Sequence, residues 1–168
     1  LAKRESSRPK RVASTTLLGD IRAMIDQARV RTAQAVNSAL VELYWHIGKR
    51  IREDVLQDDR AEYGQEIVQT LSAQLTAEYG RGFGRSNLFQ MVRFVEVFDN
   101  ERIVQTLSGQ LSWSHFVQLI PLDDPLKREF YAEMCRVERW SVRTLRHKIG
   151  HLLYERTAAA KKPEQLIE

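Results

Sequence analysis

Several sets of residues in this sequence have types that do chemistry elsewhere, and their spacing decides what each can do. A metal-dependent hydrolytic centre of the acid-x-Lys kind needs a carboxylate two residues before a lysine, so that the ion and the ammonium share one site. The seven lysines are preceded at that spacing by Leu1, Arg8, Ile47, Pro125, Arg146, Ala159 and Ala160, none of them acidic. His147, His151 and Glu155 fall at i, i+4 and i+8 of one helical face. Helical rise separates the outer two by about 12 Å, too far to share one ion. They read as two surface histidines and a salt-bridging acid. Cys135 lies in the helical pattern EFYAEMCRVERW and has no histidine at a fixed offset, so it reads as a packing residue rather than a nucleophile. Ser114 and His115 are sequence neighbours, which is not the geometry of a nucleophile and its base. Neither a GxxxxGKS/T phosphate loop nor an HExxH helix is present. The expectation is a chain with no catalytic residue, no metal, no cofactor and no small-molecule substrate.

What remains is binding, and RGFGRSNLFQMVRF is the stretch best suited to it. Arg81, Arg85 and Arg93 stand in a run, 81–93, that contains no acid. Ser86, Asn87 and Gln90 fall at the start of the helix after the turn. Asparagine and glutamine carboxamides match the edge of adenine, and arginine matches guanine or a phosphate. Arg93, two turns on, is placed to reach a backbone phosphate. Charge elsewhere is segregated. Residues 136–156 carry Arg136, Arg139, Arg143, Arg146, Lys148 and Arg156 against Glu138 and Glu155, while 53–66 carry six acids against Arg60. The net charge is +4 with a pI of about 9.4. One basic and one acidic face are expected, and basic faces suit nucleic-acid backbones.

The elements that must position these residues are helical. Apolar residues recur with a 3.6-residue period from Leu17 through Ile21, Ile25, Ala28, Ala35, Leu40, Leu43, Ile47 and Ile51 to Val55. This predicts one long helix, or two nearly collinear ones, capped by Ser14 or Thr15, and a helix this long offers a homodimer interface. Asp58, Asp59 and Gly64 predict a break, followed by a helix over 65–79 that stops at Gly80. Next come the turn and a helix opened by Gly84 or Ser86, with Leu88, Met91, Val92, Val95 and Phe98 inward. Helix, glycine-bearing turn, helix is the outline of a helix-turn-helix. Later helices are expected from Glu101, after Ser112 or Ser114, and after Asp123 or Asp124, with Leu126, Phe130, Met134 and Val137 buried in the last of these. A final helix capped by Ser141 should bury Val142, Leu145, Ile149, Leu152 and Leu153. The expected class is all-α: a long N-terminal helix and a helical bundle over 14–157, with a disordered basic tail at 1–13 and a linker from 158 to 168. No run of about 18 apolar residues exists, so no membrane span is expected. A single cysteine and no secretory leader point to the cytoplasm.

One nonapeptide occurs twice with a single change, Ala73 to Gly109: IVQTLSAQL at 67–75 and IVQTLSGQL at 103–111. The residues after each copy differ, TAEYGRGFG against SWSHFVQLI, and no third copy exists, which argues against a solenoid. The first copy is expected to stay helical to Gly80. The second should break at Gly109, with a new helix from Trp113.

The segments YWHIGKRI, YGQEIVQTLSAQLTAEYGRGFGRSNLFQMVRF, IVQTLSGQLSWSHFVQLI and KREFYAEMCRVERWSVRTLRHKIGHLLYER come in an order that resembles the N-terminal domain of the YhcG family. The resemblance covers roughly residues 17–157. It implies a bacterial protein in which a PD-(D/E)xK nuclease domain follows this one, and an N-terminal domain that binds DNA or mediates assembly through helix-turn-helix-like elements. The family has GFS ahead of its Asn-Leu pair, whereas this chain has Gly84 at the serine position, so the helix cap falls to Gly84 or Ser86.

Overall fold

The computed structural model describes residues 15–56 and 61–160, and among these all regular structure is helical. Helix α1 spans Thr15–Leu56 without a break, and α2 spans Ala61–Tyr79. A 3-10 turn at Arg81–Phe83 leads to α3, Arg85–Val97. Helices α4 (Glu101–Ser108), α5 (Trp113–Leu119), α6 (Pro125–Glu138), α7 (Val142–Gly150) and α8 (Leu153–Ala160) follow. The expected tail at 1–13, the acids Asp58 and Asp59, and residues 161–168 lie outside the described residues. No described helix is long and apolar enough to cross a membrane.

The chain divides into two compact units, 1–33 and 34–168. In the first, every described residue is exposed, its leucines and isoleucines included. The second holds two apolar clusters, both fed by the C-terminal half of α1. Val41 and Trp45 join Phe94, Val95, Val104, Leu107, Phe116, Leu119, Tyr131 and Leu145 in the larger cluster, while Tyr44 and Ile51 join Val68, Leu88 and Met91 in the smaller. Trp113 packs against both, edge-on to Tyr44 at 5.0 Å and to Phe94 at 5.3 Å between ring centroids. The Trp45 indole N–H donates to the Phe98 carbonyl at 2.8 Å, which satisfies the one polar atom of that ring.

Glycines set how closely the helices approach. Gly64 lies inside α2 rather than in the break expected there. A Cβ on it would stand 3.0 Å from Cγ1 of Val55, so the missing side chain lets α2 lie on α1. Gly48 faces the Met91 backbone at still closer range, the contact where α1 meets α3.

The two nonapeptides adopt different structures. The first is helical throughout within α2, which stops at Gly80 with φ of 87°, a left-handed conformation open to glycine. The second is helical only to Ser108, turns at Gly109, and gives way to α5 at Trp113. The carbonyls released by the break are not left orphaned. The Asn37 amide donates to those of Ser108 and Leu111, each at 2.9 Å, and the Ser38 hydroxyl donates to that of Ser108 at 2.9 Å. Nearly the same sequence thus serves two conformations: Gly109 loosens the second copy, and a neighbouring helix captures the carbonyls freed there.

Two inward faces differ from expectation. On α6, Leu126 is 66% exposed and Val137 56%, while Arg128, Tyr131, Ala132 and Cys135 are buried. The Arg128 guanidinium offsets its burial by donating to the Leu122 carbonyl at 2.8 Å and standing 5.8 Å from the Phe98 ring centroid. The Tyr131 hydroxyl donates to the Lys148 carbonyl at 3.3 Å and accepts from the Tyr154 amide at 3.1 Å. The expected last helix is two, α7 and α8, divided where Leu152 takes a φ of 53° and turns outward.

Cys135 is 2% exposed, and burial pushes its thiol up to about 12. The thiolate is the reactive form. The native protein should therefore resist a disulfide reagent at pH 8 and react fully once unfolded in denaturant; rapid labelling of the native chain would contradict this packing.

Candidate nucleic-acid interface

The α2–turn–α3 element places the six residues of the RGFGRSNLFQMVRF stretch in distinct settings. Gly84, extended at φ of −62° and ψ of 156°, is the N-cap of α3, and no side chain caps the helix. Ser86 is therefore inside the first turn, exposed, rather than at the cap. Arg81 is exposed in the 3-10 turn. Arg85 is exposed at the first residue of α3, its guanidinium 5.6 Å from the Phe89 ring centroid. Gln90 is half-buried.

Asn87 has a different place. Its amide N–H donates to the Gly82 carbonyl, and its side-chain oxygen accepts from the Trp113 indole at 2.8 Å. One side chain thus locks the turn to the helix and ties both to α5. With both ends of the carboxamide bonded inside the protein, Asn87 positions the element rather than presenting a free edge. Replacing it with alanine leaves a part-buried indole N–H and a carbonyl unpaired, which should cost about 2 kcal/mol. Chemical denaturation checks this, and a loss under about 0.5 kcal/mol would mean that water serves both groups equally well.

Arg93 is on the exposed side of α3, where its guanidinium pairs with Asp123 at 3.2 Å. The two side chains are 51% and 90% exposed, so the pair is solvated and contributes little to stability. The buried residues of α3 are Leu88, Met91, Phe94 and Val95, with Phe94 added to those expected, while Val92 and the following Phe98 are half-buried against the two clusters. Nothing in the apolar periodicity marks Trp113 as a support of this region. A tryptophan directly after an N-cap serine is the local signal that points to it.

The other sets of chemical interest resolve by their contacts. His147 and His151 stack on one another with ring centroids 3.9 Å apart. Glu155 turns instead to Lys127, whose ammonium holds the carboxyl below its ordinary value. No group of three histidine, cysteine or acidic side chains that could hold a metal ion occurs among the described residues. Ser112 and His115 form a capping box, with the Ser112 amide donating to Nδ1 of His115 at 3.1 Å. The proton is then on Nε2, which donates to the Trp140 carbonyl at 2.7 Å, so His115 pins α5 to the α6–α7 turn.

The basic run 136–156 also acquires a shape. It forms a second helix–turn–helix outline, α6 and α7 joined at Arg139, Trp140 and Ser141, with Arg139, Arg143 and Arg146 exposed. Its charge is plain in the sequence, but only the fold gathers these three arginines around one turn.

Comparison with known proteins fits the extent of this fold. The chain is 30% identical over 175 residues to the Escherichia coli (strain K12) protein named "Putative nuclease YhcG", an alignment that covers 86% of this chain and 47% of that protein. The chain therefore spans about half the length of this curated relative. No solved structure matches. The model of one family, the DUF1016 N-terminal domain, matches residues 20–156, which takes in α2 through α7 whole, most of α1 and the first half of α8; the chain belongs to that family.

Proposed function

We propose that this domain is the non-catalytic DNA-binding and targeting part of a nuclease, and that the α2–turn–α3 element contacts DNA. The observation that carries the reading is the acid-free exposed arginine series on a helix–turn–helix outline: Arg81 in the turn, Arg85 at the helix start and Arg93 further along. Ser86 is exposed between them. Arginine forks suit phosphates and guanine, and the solvated Arg93–Asp123 pair exchanges for a phosphate at small cost. Gln90 is the carboxamide left for base contact. Hydrolysis falls to the region of the relative that this chain does not span, in keeping with the missing acid-x-Lys spacing. A gel shift with a mixed-sequence duplex at two salt concentrations tests the reading. The expected result is binding that falls steeply with salt, and no binding at low salt would contradict it.

A second reading has its own observation. Leu18, Ile21, Ile25 and Ala28 recur at alternating spacings of three and four in α1, and every residue from 15 to 36 is exposed. That is the pattern of a coiled-coil seam, so this half of α1 is a candidate homodimer interface. Molecular mass measured on the gel-shift sample separates the readings: a stable dimer that leaves duplex DNA unshifted would favour assembly alone.

A further inference from the structure

We infer that the solvent face of α7, together with Arg139 in the turn before it, is a second phosphate-binding surface that seats duplex DNA. The inference rests on the DNA-binding reading above and adds a surface to it. Arg143, Arg146, His147 and Gly150 share the side of α7 opposite Leu145, which is fully buried. All four are exposed, and no acid occurs from Arg139 through His151.

Two of the three neighbouring acids are engaged elsewhere. Glu133 pairs with Arg136 and Glu155 with Lys127. Glu138 is exposed and forms no ion pair among the described residues. Arg139 and Arg143 likewise have no ion-pair partner among those residues, and Arg146 touches only the neutral Gln118 carboxamide, at 3.4 Å. These guanidiniums are therefore freer for an external anion than Arg93, which has Asp123.

The frame beneath them is fixed. Ser141 caps α7 by accepting from the Thr144 amide at 3.1 Å. His115 holds the Trp140 carbonyl, and the Lys148 ammonium stands 5.7 Å from the Trp140 ring centroid. Arg139 itself is left-handed, with φ of 52° and ψ of 44°, a conformation that glycine or asparagine adopts at lower cost. That backbone cost falls on a residue whose exposed guanidinium has no ion-pair partner among the described residues, which fits a use for the side chain. Rigidly mounted arginines need little reordering to grip phosphates.

The test compares the 168-residue chain with an Arg139→Gly/Arg143→Ala/Arg146→Ala variant, by gel shift on a mixed-sequence duplex across salt concentrations. The variant should bind about tenfold more weakly or worse, and the slope of log affinity against log salt should fall by about 3. Its thermal midpoint should not fall, because glycine suits position 139 better than arginine. A variant with lysines at 143 and 146 and the native Arg139 should keep the slope. If the triple variant fails to fold, Arg143→Ala alone should still lower the slope by about 1. Wild-type affinity and slope in the folded variant, with the parent chain binding normally, would overturn this inference and leave the α2–α3 reading standing. No duplex binding by the parent chain at low salt would overturn both.

Discussion

Changing Arg81, Arg85 and Arg93 together to alanine is expected to weaken duplex binding by about tenfold or more and to lower the salt slope by about 3. Each of the three is exposed. None fills the core, so the fold should survive, with helicity unchanged and stability within about 0.5 kcal/mol of the parent. The three differ in what they have to give up. Arg85 lies against Phe89, and Arg93 must exchange Asp123 for a phosphate. Replacing Asp123 with asparagine should therefore strengthen binding modestly, by releasing Arg93 and removing a like-charged neighbour of the phosphate. If the three arginines contact only phosphates, the loss will be uniform across duplex sequences. A loss confined to some sequences would identify base contacts. Unchanged affinity in a folded triple variant would remove α2–turn–α3 from the interface.

The largest effect on the fold itself should come from Gly48→Ala. A Cβ at this buried position would lie 1.9 Å from the Met91 carbonyl oxygen and 2.5 Å from the Met91 carbonyl carbon. Those are backbone atoms, and Met91 is fully buried, so neither side can yield without moving a helix. Overpacking of this kind costs about 3 kcal/mol or more, which in a domain this size lowers the thermal midpoint by about 10 °C. Gly19 is the internal control. It lies in the same helix, but nothing stands within 4 Å of where its Cβ would be. Gly19→Ala should stabilise by about 0.5–1 kcal/mol through helix propensity alone. Thermal unfolding of both variants checks the contrast. A Gly48→Ala protein as stable as the parent would mean that α1 and α3 lie further apart than this packing requires.

The helical class is legible in the sequence because the apolar residues keep one period and the caps are chemically explicit. Asn100, Ser112, Asp124 and Ser141 all stand at helix starts. The break in the second nonapeptide is legible too, since glycine at 109 and serine at 112 weaken the helix there. The inward face of α6 is hidden because the exposed Leu126 and Val137 are more apolar than the buried Arg128, while Phe130 and Met134 are only half-buried. Arg128 and Tyr131 enter the core only through partners on α7, α8 and the turn after α5 that no local pattern displays. The long run from Ser141 reads as one helix because Leu152 looks like a core residue until its left-handed backbone is known. The candidate site is legible in its charges and illegible in its bonds. Asn87 has the composition of a base reader, and only the placement of Trp113, far along the chain, shows both ends of its amide in use.

The central claim, that this domain binds DNA through exposed arginines on helix–turn–helix outlines, is tested most directly by mapping the contact on the chain itself. Backbone amide spectra of the isotopically labelled domain, recorded with and without a short duplex at low salt, locate it residue by residue. Perturbations are expected to concentrate at 81–93, with a second group at 139–147, both fading as salt is added. Perturbations confined to the exposed stretch of α1, or none at all at duplex concentrations well above the protein's, would contradict the claim.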